Sequence, residues 1–162
     1  MSWTNSRSHL THVVKLADPR EGTRNRVGIE RYVDAIVALQ VKRQTPGCPI
    51  GTLAGQLVQH DEASRLILAN GLERWEHSLQ AGLEAMAAHG ELQPDANPAR
   101  LATQTLMLLQ GGLLLSHVHR DPGQMRIAAD TVLELIQAAQ VAPAQGQLPS
   151  GAPDKPIHPN PP

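Results

Sequence analysis

The segment GCPIGTLAGQL at 47–57 holds the only cysteine of a 162-residue chain, Cys48, between a glycine and a proline and just ahead of an apolar pattern. Pro49 suits the first position of a helix, which puts Cys48 at the N-cap. A helix N-terminus favours thiolate over thiol, so Cys48 has the placement of a redox- or electrophile-sensing cysteine. No lysine or arginine stands beside it, and cysteine is among the most buried residue types, so its other reading is a small hydrophobe filling a helix start. One cysteine forms no internal disulfide, and nothing asks for an oxidising compartment.

His117 and His119, in LLLSHVHR, invite a metal reading. Two residues apart on a helix they point in roughly opposite directions, and the i, i+4 spacing that chelates is missing. With Arg120 they read as basic residues at a helix C-terminus. No Gly-x-Ser-x-Gly, no Gly-rich phosphate loop and no paired carboxylates occur in a recognisable frame. No catalytic residue, metal or cofactor is assigned, and the chain is not expected to be an enzyme.

Three further features concern packing or ligands. Gly111 and Gly112 each cost a helix about 1 kcal/mol relative to alanine, so the pair implies close approach by something: a neighbouring helix, a second subunit or a ligand. Trp75 suits a plain core or the wall of an apolar cavity, with its indole N–H as polar handle. Met86 and Met107 serve either role as adaptable filling.

The elements that position these residues are helical throughout. A first helix is expected over 28–44, with Ile29, Val33, Ile36 and Gln40 on one stripe. A second covers PIGTLAGQLVQ, with Ile50, Leu53, Ala54, Leu57 and Val58 in phase. A long third begins at Asp61 as N-cap, carries Leu68, Leu72, Trp75, Leu79, Leu83 and Met86, and ends at Gly90. Asn97–Pro98 starts the fourth and Asp121–Pro122 the fifth, whose stripe is Met125, Ala128, Val132, Leu135 or Ile136, and Ala139. No segment alternates as a strand does. The fold class is all-α, a five-helix bundle over 27–140. Residues 1–26 show no steady period, and the tail 141–162 carries seven of the thirteen prolines, too many to be packed.

Hydrophobic residues make up 41 % of the chain, enough for a core, yet no run reaches the about 18–20 apolar residues of a membrane span. No signal peptide is visible in 1–26, so a cytoplasmic protein is expected. The net charge is −1, the cations are scattered and phenylalanine is absent, which argues against direct binding of nucleic acid. From Leu106 to Leu115 the fourth helix is apolar nearly all round. A bundle of this size can hardly bury both faces of that helix by itself, whereas a second subunit could.

The stretch 47–136 resembles the C-terminal, effector-binding and dimerisation domain of TetR-type transcriptional regulators, most closely the LmrA/YxaF-like branch. The marks are GCPIGTLA, RWEHSLQAGLEAM, GELQPDANPARLA and LLQGGLLLSHVHRDP, in the family's order and spacing, with RYVDAIVALQ resembling the helix before them. The resemblance implies a homodimer sensing a small apolar or aromatic effector. It places Cys48 at the edge of a ligand chamber, and Leu53, Trp75 and Met86 are further candidates for its wall. Met107, Gln110 and Gly111 complete that set. The resemblance also pairs the last two helices with their copies, giving Gly112, Ser116, Ala128, Val132 and Leu135 as candidates for the dimer interface. Residues 1–26 do not resemble the family's helix-turn-helix module, so a sensor without its own DNA reader is expected. The alternative is a helical interaction protein that has no effector and heterodimerises with a full-length relative.

Overall fold

A computed structural model describes residues 25–42 and 62–142. Four helices stand among them: α1 (Arg26–Lys42), α2 (Glu62–Ala88), α3 (Pro98–His119) and α4 (Gly123–Ala138). The chain is all-helical here. The second expected helix, the expected cap Asp61 and residues 1–24 and 143–162 of the two tails lie outside the described residues.

The starts of α1 and α3 follow side-chain caps. Asn25 accepts the Gly28 N–H at 2.9 Å, so α1 begins two residues ahead of the expected position. Asn97 accepts the Arg100 N–H at 3.0 Å and Pro98 follows as the first helical residue, as expected. Asp121 accepts the Gly123 N–H at 2.8 Å and the Gln124 amide at 3.2 Å. The Gly123 N–H, and then Gln124, hold its carboxyl below the usual carboxylate range. α4 is regular from Gly123, one residue beyond the expected start at Pro122.

Two left-handed residues end the longer helices. Gly90, at φ +72, closes α2, where the Glu91 N–H reaches back to the Met86 carbonyl at 3.0 Å. Arg120, at φ 54, closes α3, with the Asp121 N–H on the Ser116 carbonyl at 3.1 Å.

α3 lies between α2 and α4 along its length, and α1 rests on α4. The shared core joins Val33 and Ile36 of α1, Leu79, Leu83 and Met86 of α2, Leu109 and Leu113 of α3, and Met125, Val132 and Ile136 of α4. Gly112 permits the α3–α4 contact: a Cβ there would stand 2.5 Å from Ala128 Cβ. On the surface, Arg126 of α4 reaches Asp34 of α1 at 2.8 Å, with Asp130 on its other side at 2.6 Å. The α2–α3 connection grips the end of α4. The Gln93 N–H donates to the Ala139 carbonyl at 2.9 Å, and the Val141 N–H donates to the Glu91 carbonyl at 3.1 Å.

Candidate functional site

The interior holds a small set of polar groups among apolar neighbours. The indole N–H of Trp75 on α2 donates to the phenolic oxygen of Tyr32 on α1, and both side chains are buried. Burial keeps the Tyr32 phenol protonated far above its ordinary range, against the opposing pull of the Trp75 hydrogen bond. Gln40 is buried on α1, and Thr105 and Ser116 are buried on α3. Among the described residues, the hydroxyls of Thr105 and Ser116 have no hydrogen-bond partner. Unmet buried hydroxyls cost stability and stand ready to bond to anything polar that enters.

Trp75 and Met86, two candidates for a chamber wall, stand together in this core. Cys48 and Leu53 lie outside the described residues. Met107 and Gly111 do not face the interior. The helical period turns them away from Leu109 and Leu113, Met107 is 67 % exposed, and a Cβ on Gly111 would meet nothing within 4 Å. Gln110, half-buried, lies between the two faces. A recess of about 420 Å³ opens instead on the outer side of α2, where Ile67, Asn70, Glu73, Arg74 and His77 line it. Sequence reasoning singled out none of these five residues.

The expected dimer residues are also placed differently. Gly112, Ser116, Ala128 and Val132 are buried inside the single chain, where α3 meets α4. Val132 is 0 % exposed in the single chain. Leu135 is half-buried against the core. The residues left free on α3 are Met107, Leu114, Leu115 and Val118, with Ile127 on α4. Met107, Gly111, Leu114 and Val118 follow one another at helical spacing, on the side of α3 opposite Thr105, Leu109, Gly112 and Ser116. From 101 to 119, α3 carries no Asp, Glu, Lys or Arg. Five turns of partly exposed helix without a charge are unusual for a surface bathed in water.

Sequence reasoning saw that α3 is apolar nearly all round but did not resolve its two faces. A helical wheel phased on Leu109 separates them. The helical period puts Tyr32 on the core side of α1, but nothing local in a sequence pairs it with Trp75, 43 positions away.

Among the described residues no three His, Cys, Asp or Glu side chains gather as a metal-holding group. No helix among them is long and apolar enough to cross a membrane.

A helical domain with a closed mixed core and one uncharged apolar face defines the class, and comparison supplies the family. Residues 27–132 match the family described as Tetracyclin repressor-like, C-terminal domain. The chain belongs to this TetR-type C-terminal domain family. It is similar in structure to a TetR transcriptional regulator from Chloroflexus aurantiacus J-10-FL, with a TM-score of 0.60 and 17 % identity over 82 % of this chain and 71 % of that one. At that identity the likeness concerns the fold alone. No curated protein matches the chain.

Proposed function

We propose that these helices form the dimerising, effector-responsive part of a TetR-type transcriptional regulator, with DNA reading left to a separate module. The observation that carries this is the outer face of α3, a stripe of Met107, Leu114 and Val118 without a charge to keep it wet. Ile127 extends the stripe onto α4. Covering such a surface with a second copy removes apolar area from water on both sides at once.

The effector side of the proposal rests on the interior. Tyr32, Trp75 and Thr105 offer polar handles on three different helices within an otherwise apolar core. That lining suits a small apolar or aromatic molecule with one or two polar atoms. The net charge of −1 and the scattered cations give these helices no basic face for a phosphate backbone.

Light scattering on the wild type and on Val118→Glu tests the dimer. Val118 is 64 % exposed, so the charge leaves the single chain folded. The expected result is a wild-type dimer at micromolar concentration and a folded Val118→Glu monomer. A wild-type monomer, or a Val118→Glu variant that stays fully dimeric, contradicts the proposal.

A further inference from the structure

Three of the chain's four methionines are described, and they stand in two kinds of place. Met86 of α2 and Met125 of α4 are sealed in the core, whereas Met107 of α3 is exposed in the single chain. Thioethers react with oxidants according to their access, so a peroxide that meets these helices finds one of the three.

The position of Met107 gives that reactivity a consequence. It heads the row that continues through Gly111, Leu114 and Val118 at helical spacing. None of those three side chains has a hydrogen-bonding atom, and α3 carries no Asp, Glu, Lys or Arg from 101 to 119. A thioether leaves water for such a surface as readily as a leucine does. A sulfoxide does not, because its oxygen is a strong acceptor that must give up water and finds no donor in the row.

Resting on the dimer proposed above, we infer that Met107 is an oxidant-sensitive switch on the pairing of two copies, in which the thioether permits the contact and the sulfoxide opposes it. The sulfur attacks one oxygen of hydrogen peroxide, an S–O bond forms, the O–O bond breaks and water leaves; sulfur gives up two electrons and the peroxide takes them. A two-fold arrangement brings one sulfoxide from each copy to the same contact, so the change acts twice. Pairing covers the thioether, so peroxide modifies the copies that have dissociated and holds them apart. Methionine sulfoxide reductases, with a thiol as reductant, return the thioether and release water.

Sedimentation equilibrium of the full chain tests this, before and after dilute hydrogen peroxide is applied at a concentration where the copies are apart. Mass spectrometry assigns each added oxygen to its residue. The expected result is one oxygen on Met107, none on Met86 or Met125, and a dimer weakened about tenfold or more. Treatment with the reductases and a thiol should restore the association. Met107→Leu keeps the volume and the apolarity, so it should pair as tightly as the wild type and continue to do so after peroxide. Met107→Gln should pair weakly without any peroxide. A chain oxidised at Met107 that associates as tightly as the untreated one overturns the switch, as does a Met107→Leu variant that peroxide weakens equally. Val118→Glu, measured alongside, keeps the two readings apart: if it breaks the dimer in either of those cases, the switch alone falls and the dimer face stands. A wild type that does not associate takes both down.

Discussion

Trp75 on α2 donates its indole N–H to the phenolic oxygen of Tyr32 on α1, a buried polar link between two helices that otherwise meet little. Tyr32→Phe removes the acceptor and leaves the N–H buried without a partner. The expected cost is about 1–3 kcal/mol in urea unfolding, with a shifted Trp75 emission. A variant as stable as wild type would show that the link contributes nothing to the fold.

The same pair makes the fold sensitive to alkali. Burial holds the Tyr32 proton above the ordinary value of 10.0, so the unfolded chain releases a proton that the folded chain keeps. The contribution is whole below pH about 10 and is lost progressively above it. Unfolding measured between neutral pH and that range should show a steeper alkaline decline in the wild type than in Tyr32→Phe. Equal slopes would contradict this account of Tyr32.

Gly112→Ala presses a methyl group against Ala128, whose Cβ is 2.5 Å from the new atom, and against Met125. The overpacked α3–α4 contact should cost about 1–3 kcal/mol, and Ala128→Gly in the same chain should recover part of it. Strict additivity of the two single changes would show that the helices do not meet there.

Much of this was legible in the sequence. Asn97–Pro98, Gly90 and the Leu79–Leu83–Met86 stripe act locally, through capping and period, and the structure uses them as read. α1 starts earlier than its apolar period suggests because Asn25, outside that period, caps it. The candidate site was less legible, because facing is a matter of tertiary packing. The size and period of Gly112 and Val132 suit a subunit seam and equally the contact between α3 and α4 within one chain, where both are buried. Met107 serves core or cavity by its type, and only its phase on the helix shows that it is exposed in the single chain. The bonds by which Gln93 holds the Ala138 and Gln140 carbonyls at 3.1 and 3.0 Å join residues far apart in sequence, beyond any local pattern.

An effector that enters the core should be visible through Trp75. The chain has two tryptophans, so Trp3 is replaced by Phe to leave one reporter. Titration with small apolar and aromatic compounds should quench the remaining emission saturably and raise the melting temperature, by about 2.7 kcal/mol of added stability at a hundredfold excess over Kd. Thr105→Val should weaken a compound that carries a polar group more than one that carries none. A wide set of compounds with neither effect would favour the interaction protein without an effector.

The central claim, that the outer face of α3 is covered by a second copy, is tested most directly by the oxidation of its own methionine. Met107 is 67 % exposed in the single chain, whereas Met86 and Met125 are both 0 % exposed. Dilute peroxide converts accessible methionines to sulfoxides, and mass spectrometry reads each site separately. The prediction is that Met107 oxidises quickly at protein concentrations where the chain is monomeric and slows toward the rates of Met86 and Met125 as concentration rises. Fast oxidation of Met107 at every concentration, in a chain that associates, would place the interface elsewhere and contradict the account.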